Sequence, residues 1–326
     1  MRSLALPGLQ TKVSTIALGT AAFGSLVTPE ESFAMLDTFV DAGGTLIDTA
    51  HVYADWLGGE RHLSEKTLGT WLKRRGKSDD VVIATKGAHP DLATPLVPRL
   101  SPAEIVHDLD ESLLCLGVER IDLYYLHRDD PVRPVAEIME VLGHQVRLGK
   151  IGAIGCSNWQ VARIREAQAH ARAAGLPSFV ASQVFWSLAK ANPGAFASDH
   201  ALIDDAALQF YAAQGMPVVA YTSQARGFFS KAAQGGVDRL KPDLRDAFEN
   251  TENLARLERA IVLAQDLGVT VSAITLAYLT SQTVAGIPVI GSMSLTQLQD
   301  SLGAADLKLT AGQLGFLMGH NSWETT

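Results

Sequence analysis

The chain has few cysteines and little positive charge. Its 326 residues include two cysteines, and 27 Lys and Arg against 35 Asp and Glu give a net charge of −8. Because no long basic run is present, nucleic acid is not expected as a partner. Cys115 and Cys156 fall in a predicted helix and a predicted apolar strand, so we expect two small buried residues rather than a disulfide.

Long apolar runs are also absent. No stretch of about 18 apolar residues predicts a membrane helix, and residues 1–8 lack the apolar segment of a signal peptide. We therefore expect no membrane partner and a cytoplasmic location. The nine histidines are scattered, and none pairs with another His or with Cys at a recognised ligand spacing, so the sequence predicts no metal site. Oligomeric state has no signature in the composition.

Short apolar segments alternate with amphipathic ones along the chain. From residue 16 onward, eight apolar segments are each followed by helical material, which indicates an α/β protein. The clearest helix starts at Ser101, where an N-cap serine precedes Pro102 and Glu104. Parallel strands joined by right-handed helical crossovers are expected, and eight such units close most naturally into a (β/α)8 TIM barrel.

No low-complexity linker divides the chain, so residues 1–326 are predicted to form a single barrel domain, with a short hairpin around Leu4–Pro7 and Gln10–Val13. The alternative is an open doubly wound sheet, but no Gly-x-Gly-x-x-Gly turn follows the first strand. The predicted strands are 15–19, 45–48, 81–86, 121–126, 151–156, 180–184, 218–221 and 287–290. The predicted helices are 29–42, 64–74, 101–116, 134–148, 159–173, 200–213, 253–267, 271–281 and 294–302, with a long polar excursion after residue 221.

Four polar residues follow the ends of successive strands. Asp48, Lys86 and His127 each end or follow an apolar strand, and Tyr53 lies in the loop five residues after Asp48. In a barrel these side chains would meet at the C-terminal face of the strands. A neighbouring ammonium lowers the pKa of a phenol. We therefore expect Lys86, held by Asp48, to tune Tyr53 as a proton donor, while His127 orients a substrate oxygen.

Each of the four residues also has an ordinary structural explanation. Asp48 could cap a loop, Tyr53 could be a half-buried aromatic, and His127 could be a structural histidine. Lys86 is harder to explain in this way because burying an ammonium is costly.

Segments spread over nearly the whole chain resemble the aldo-keto reductase superfamily. They are Ala-Leu-Gly-Thr at 17–20, Ile-Asp-Thr-Ala-x-x-Tyr at 47–53, Ala-Thr-Lys at 84–86, Asp-Leu-Tyr-Tyr-Leu-His at 122–127, Gly-Cys-Ser-Asn at 155–158, Gln183, Ala-Tyr at 220–221 and Val-Ile-Gly-Ser at 289–292. The resemblance implies a (β/α)8 barrel, a nicotinamide cofactor and reversible reduction of a carbonyl. It also implies that Tyr53 is the general acid, that Lys86 and Asp48 tune it, and that His127 positions the carbonyl.

The same resemblance implies a set of cofactor-binding residues. Tyr221 would stack on the nicotinamide, and Ser157, Asn158 and Gln183 would bind its carboxamide. The other residues expected to contact the cofactor are Gly19, Thr20, Asp48, Thr222, Gln224, Ala225, Gly291, Ser292, Met293, Gln297, Asp300 and Ser301. Residues 291–297 contain no Lys or Arg for a 2′-phosphate. The resemblance implies NADPH/NADP as cofactor, but because these cations are lacking, NADH/NAD is left open, with Arg226, Lys231 or Lys241 as other sources of charge.

Aromatic and charged residues follow the catalytic positions. Tyr53, Trp56, His127, Arg128 and Trp186 are the predicted substrate-binding residues, and Trp323 lies in the C-terminal tail. Aromatic faces beside charged groups suit a polyoxygenated, sugar-like carbonyl compound, although tryptophans could also simply close the mouth of the barrel.

Two other functions stay open at the level of sequence. A lysine at a strand end also suits a Schiff-base aldolase, with Lys86 as nucleophile. A non-catalytic nicotinamide-binding subunit is the second alternative.

Overall fold

The structure is a computed structural model that describes residues 1–76 and 79–320. Eight parallel strands form a closed barrel, and the strand order around it follows the chain from β3 to β9, with β10 pairing to both β9 and β3. The ten strands are β1 (Ser3–Leu4), β2 (Val13–Ser14), β3 (Ala17–Gly19), β4 (Leu46–Asp48), β5 (Val82–Gly87), β6 (Ile121–Leu126), β7 (Ile151–Ser157), β8 (Phe179–Phe185), β9 (Val218–Tyr221) and β10 (Gly286–Ile290). The predicted (β/α)8 barrel is confirmed, and the open doubly wound sheet is wrong because the sheet has no edge.

Helices follow the barrel strands and form the outer layer. They are α1 (Pro29–Asp41), α2 (Leu63–Arg75), α3 (Pro102–Leu116), α4 (Val135–Arg147), α5 (Val161–Ala174), α6 (Asp205–Gln214), α7 (Phe228–Gly235), α8 (Pro242–Phe248), α9 (Thr251–Leu267), α10 (Val271–Thr280), α11 (Leu295–Leu302) and α12 (Ala311–Met318). The N-termini of α3 and α1 carry capping motifs that are visible in the sequence. Ser101 and Thr28 each accept a hydrogen bond from the third helical residue, whose carboxylate accepts one in return from the cap backbone.

The two faces of the barrel strands bury two separate apolar sets. Side chains that alternate along each strand point either to the barrel interior or to the helices. Val82, Leu123 and Val219 belong to the smaller set, together with Leu6 and Val13 from the N-terminal segment. The larger set lies between the strands and the helices.

The N-terminal hairpin packs at the amino end of the barrel. β1 and β2 pair antiparallel, with Leu4 opposite Val13. At the turn, Gly8 has a φ of +82°, and a Cβ there would lie 3.0 Å from the carbonyl oxygen of Gly152. A hairpin was predicted here, and its tight approach to β7 explains the glycine.

Three regions differ from the sequence-based prediction. The expected polar excursion after β9 contains α7 and α8, whose buried Phe228, Phe229 and Phe248 pack into the outer core. Helix α6 begins at Asp205 rather than at 200, because Asp204 caps it by accepting a bond from the backbone N–H of Ala207. Helix α12 was not predicted, and Trp323 lies outside the described residues.

No single helix among the described residues has both the length and the apolar composition needed to cross a membrane. The pair α9 and α10 reaches those values only when it is joined across a bend of 98°. Both cysteines are free; Cys156 is buried as expected, whereas Cys115 is only half-buried.

The acidic side chain of Glu65 is buried within the helical layer. Glu65, in the first turn of α2, has no exposed surface, and it accepts a hydrogen bond of 2.5 Å from the hydroxyl of Thr85 on β5. Burial raises the pKa of the Glu65 carboxyl to about 7. The neutral acid is therefore the form that the fold favours.

We expect Glu65 to make stability depend on pH in a defined direction. Its pKa is raised from 4.5 to about 7 in the folded chain, so its stabilisation is complete below pH 4.5 and is lost as pH rises through 7, by about 3 kcal/mol in total. In Glu65→Gln this loss should disappear, so that the free energy of unfolding of the variant should rise relative to that of the wild type between about pH 4 and 8. The free energy of unfolding in urea, measured across that range, checks this. Glu119→Gln, at an exposed position, is the control, and an equal pH trend in both variants would contradict the assignment.

Candidate active site

A buried ion pair joins the ends of two neighbouring strands. Asp48 is the last residue of β4, and Lys86 is the penultimate residue of β5. The Lys86 Nζ lies 2.7 Å from Asp48 Oδ2, and the lysine side chain is 0% exposed. Nζ also donates to the carbonyl oxygen of Thr49 at 2.7 Å. Parallel pairing of β4 with β5 places both residues at the same end of the barrel.

The third partner of Lys86 is the phenol of Tyr53. Nζ donates to the Tyr53 hydroxyl oxygen at 2.9 Å. The turn after β4 brings the phenol back over the strand ends, with the Tyr53 N–H bonded to the carbonyl of Ala50. All three N–H groups of the ammonium thus have acceptors, which holds Lys86 in one orientation.

The protonation states of this trio follow from burial and charge. Burial lowers the pKa of Lys86, but Asp48 and Tyr53 together outweigh it, so the net pKa is raised and the ammonium stays charged. Burial raises the pKa of Tyr53 more than Lys86 lowers it, so the net pKa lies above the usual 10. Lys86 thus acts on the Tyr53 pKa in the expected direction, but burial has the larger effect.

His127 faces Tyr53 from the end of the next strand. It follows β6, and its ring lies edge-on to the Tyr53 ring at 6.1 Å between centroids. Burial, with the nearby His89 and Arg128, holds the pKa of His127 well below its usual value, so the imidazole is neutral. Its Nδ1 is buried and has no hydrogen-bond partner. A neutral imidazole with spare bonding capacity can hold a substrate oxygen.

His89 is a site residue that the sequence reasoning missed. It lies two residues beyond β5, and its ring contacts that of His127 at 4.6 Å between centroids. The signal was available, since His89 is the next polar residue after Lys86 in the loop at the same barrel end.

The residues expected around the nicotinamide form one hydrogen-bonded network with the ion pair. Gln183 on β8 donates to Asp48 Oδ1 at 2.7 Å, and its backbone is in register with Ser157 on β7. Asn158 donates to Ser157 Oγ at 3.1 Å and accepts from the Tyr221 hydroxyl at 2.7 Å. Asn158 adopts a φ of +61°, a conformation that asparagine tolerates better than most residues.

The first strand contributes to the same end of the barrel. Gly19 is in register with Asp48, and the Thr20 backbone N–H donates to the Asp48 carbonyl at 2.9 Å. The expected contact residues Gly19 and Thr20 thus lie beside the ion pair.

The loop after β9 carries the residues expected along the pyrophosphate. Thr222, Ala225 and Arg226 all have φ between +49° and +55°. Turns of this kind can direct backbone N–H groups toward an anion, and here the N–H groups of Ala225 and Gly227 donate to the carbonyls of Thr222 and Gln224. Gln224 is held by Ser272 Oγ at 2.7 Å.

The expected adenosine end follows β10 and forms a separate group. A Cβ atom added to Gly291 would have no other atom within 4 Å, so the backbone faces open space. Met293 N–H donates to Gln297 Oε1 at 2.8 Å, and Ser292 is buried. Asp300 and Ser301 lie on α11. An open backbone strip next to a helix start can receive a nucleotide.

The expected substrate residues do not all meet at the barrel mouth. Trp56 is 50% exposed and lies edge-on to Tyr53 at 6.0 Å between centroids, so it flanks the phenol. Arg128 is engaged by Asp199 at 2.8 Å. Trp186 differs from the expectation of a residue at the barrel mouth. It is 2% exposed in the outer core, next to Gly286 and hydrogen-bonded to Tyr278.

One group of residues could serve as metal ligands, although the sequence predicted no metal site. His51, His62 and Glu111 offer ligand atoms within 4.8 Å of one another. No spacing motif marks this group, because the residues are separated by 11 and 49 positions and meet only through the packing of α2 on α3.

The geometry of Lys86 disfavours the aldolase alternative. A Schiff-base lysine must present a neutral amine to its substrate. Here all three N–H groups are engaged by Asp48, Thr49 and Tyr53, and the pKa is raised rather than lowered.

Lys86→Met should be destabilising because it leaves Asp48 charged and without its cation in a buried site, at a cost of about 3–5 kcal/mol. Adding Asp48→Asn removes the orphaned charge, so the double variant should recover part of that loss. Urea denaturation of the single and double variants checks this. The control is Lys66→Met, whose pair with Glu60 is exposed and should change stability by less than about 1 kcal/mol. A double variant less stable than Lys86→Met would contradict the account.

Comparison with known proteins places this geometry in a family. Residues 15–321 match the model of the aldo/keto reductase family. Norsolorinic acid reductase stcV of Emericella nidulans is 31% identical over 320 residues, which cover 92% of this chain and 76% of that protein. An aryl-alcohol dehydrogenase (NADP(+)) of Phanerodontia chrysosporium is 29% identical, covering 95% and 83%. Aldo-keto reductase str7 of Strobilurus tenacellus is 29% identical, covering 90% and 82%. The chain thus belongs to the aldo/keto reductase family and is an oxidoreductase.

Proposed function

We propose that the protein interconverts a carbonyl compound and an alcohol with a nicotinamide cofactor, with Tyr53 as the proton donor to the carbonyl oxygen. The observation that carries this proposal is the contact of Lys86 with Asp48 at 2.7 Å and with Tyr53 at 2.9 Å. Such a set is suited to move one proton at a defined position.

In the reductive direction Tyr53 starts as a neutral phenol, as its raised pKa requires. When negative charge develops on the carbonyl oxygen, the phenol transfers its proton there, and the adjacent Lys86 ammonium stabilises the phenolate left behind. Neutral His127 holds the same oxygen by a hydrogen bond. Asp48 keeps the ammonium charged and oriented throughout.

We propose NADPH/NADP as cofactor, with NADH/NAD as a second possibility. When bound, it supplies or accepts the hydride. Tyr221 offers an aromatic face and donates to Asn158, whose backbone N–H donates to the Gln183 carbonyl at 3.0 Å, and the Gln183 side chain donates to Asp48. The remaining proposed contacts are Gly19, Thr20, Thr222, Gln224, Ala225, Gly291, Ser292, Met293, Gln297, Asp300 and Ser301.

The proposed substrate is a small carbonyl or alcohol compound in a pocket formed by Tyr53, Trp56, His127 and Arg128, with His89 beside them. A sugar-like substrate stays a hypothesis, supported by charged groups next to an aromatic face. The name of the aryl-alcohol dehydrogenase relative favours an aryl compound instead. A panel of aryl aldehydes and keto-sugars separates the two, since much faster reduction of aryl aldehydes would count against the sugar. A cytoplasmic location stays a prediction.

Tyr53→Phe should lower kcat for carbonyl reduction by about 100-fold or more, because general acid catalysis contributes about 10²–10⁴-fold. Binding of NADPH, followed by quenching of tryptophan fluorescence, should stay within about 2-fold of wild type. Trp56→Phe is the matched control, since it changes an aromatic residue beside the phenol and leaves the acid intact. Turnover by Tyr53→Phe at the wild-type rate would refute the assigned acid.

Discrimination between NADPH and NADH should be weak. Residues 291–297 lack the Lys or Arg that would make charge-assisted bonds to a 2′-phosphate, and each such bond would contribute about 1.5–3 kcal/mol. We expect dissociation constants for the two cofactors within about 10-fold of each other. Fluorescence titration at low and high salt measures both. A preference for NADPH above about 100-fold that collapses in salt would show that a cation outside this segment binds the phosphate, with Arg226 and Lys231 the first to replace.

A further inference from the structure

A cluster of histidines lies beside the proposed active site and has no part in the chemistry described above. His51 is in the turn after β4, two residues before Tyr53, and His62 directly precedes α2. Both are buried. Glu111 lies on α3 and approaches them from the neighbouring helix.

Three imidazole nitrogens converge on one carboxylate oxygen of this cluster. Glu111 Oε2 lies 2.9 Å from His51 Nε2 and 3.8 Å from His62 Nε2. It also lies 3.8 Å from Nε2 of His107, four residues earlier on α3. Ligands about 2.0–2.2 Å from a tetrahedral zinc ion are about 3.3 Å apart, a value that falls between these distances.

The environment of His62 leaves the correct nitrogen available. Its Nδ1 lies 2.6 Å from the carbonyl oxygen of His51. Because a carbonyl can only accept, Nδ1 carries a proton, and in the neutral ring the lone pair is then on Nε2, the nitrogen nearer to Glu111. In many metal sites, the ring nitrogen of a histidine ligand that does not bind the ion donates such a hydrogen bond, which orients the ring.

Backbone geometry and a buried acid support the same interpretation. His62 adopts a φ of +61°, which side-chain-bearing residues rarely do, and its side chain caps no helix N–H. Asp108 Oδ2 lies 3.9 Å from His51 Nδ1, on the side away from Glu111. It can accept the Nδ1 proton when Nε2 binds a cation.

We propose that His51, His62 and Glu111 bind one Zn²⁺ ion that joins the loop carrying Tyr53 to helix α3, with a water molecule as the fourth ligand. Imidazole and carboxylate donors suit Zn²⁺ rather than Mg²⁺ or Ca²⁺. The His51 and His62 rings are stacked at 3.9 Å with 25° between their planes. Ion binding therefore requires a rotation that turns the two lone pairs to a common point. Glu111 is 39% exposed and His107 62%, which gives the ion a path from solvent.

The ligands bracket the loop that carries the proposed acid. His51 and His62 lie at the two ends of a segment that contains Tyr53 and Trp56. An ion that joins both ends to α3 would restrict this segment without contacting the substrate. Arg61, whose side chain is 65% exposed within the segment, offers a site at which trypsin can report that restriction.

The test uses the full chain without a histidine tag, stripped with a chelator and then titrated with Zn²⁺ by calorimetry. We expect one equivalent to bind, and Co²⁺ in its place to give the strong visible absorption of a four-coordinate ion. His62→Asn keeps a residue that tolerates positive φ, and Glu111→Gln keeps the shape of the side chain. Each should weaken binding by at least about 10-fold. The control His144→Asn, at an exposed position on α4, should bind as the wild type does.

Two further readouts connect binding to the loop. At about 100 times its dissociation constant, Zn²⁺ should lower the unfolding equilibrium constant about 100-fold. It should also slow cleavage after Arg61 in the wild type and in His144→Asn, but not in His62→Asn. Absence of a one-equivalent site, or equal binding by wild type, His62→Asn and Glu111→Gln, would overturn the proposal.

Discussion

The ion pair between Lys86 and Asp48 is the interaction on which the proposed chemistry depends. An ammonium buried at the end of the barrel is tolerated only when its charge is compensated and its N–H groups are bonded. Asp48 provides the compensation at 2.7 Å, and Thr49 and Tyr53 take the other two N–H groups. The Tyr53 hydroxyl thus accepts one of the hydrogen bonds that allow the ammonium to be buried. The same bond fixes the position of the phenol.

The barrel explains why residues from distant parts of the chain meet. Parallel register brings the ends of β4, β5, β6, β7 and β8 to one face, so an aspartate, a lysine, a histidine, a serine and a glutamine converge without any loop that is specific to them. Gln183, one of the proposed cofactor contacts, donates to Asp48 at 2.7 Å. The Asp48 carboxylate therefore accepts hydrogen bonds from both Gln183 and Lys86.

The parts of the site that sequence could predict are those set by strand ends. Asp48, Lys86 and His127 were placed correctly at one face because strand periodicity and parallel pairing determine where a strand finishes. Trp186 was misplaced because its position after the strand was considered and its face was not: alternation along β8 places it with Val184 in the helical layer. The net pKa of Tyr53 depends on burial depth, and the His51–His62 contact depends on helix packing. Neither the burial depth of Tyr53 nor the packing of the helices can be predicted from local sequence.

The hairpin beneath the barrel has a consequence for proton supply. Leu6 and Val13 fill the amino end of the barrel, so we expect bulk water to reach the Tyr53 hydroxyl from the opposite end, where a bound reactant would cover it. Once the hydroxyl has lost its proton, we expect it to be reloaded from solvent only after the reactant has departed. A compound with two reducible groups would then have to leave and return between its two reductions, and the singly reduced form would accumulate in solution.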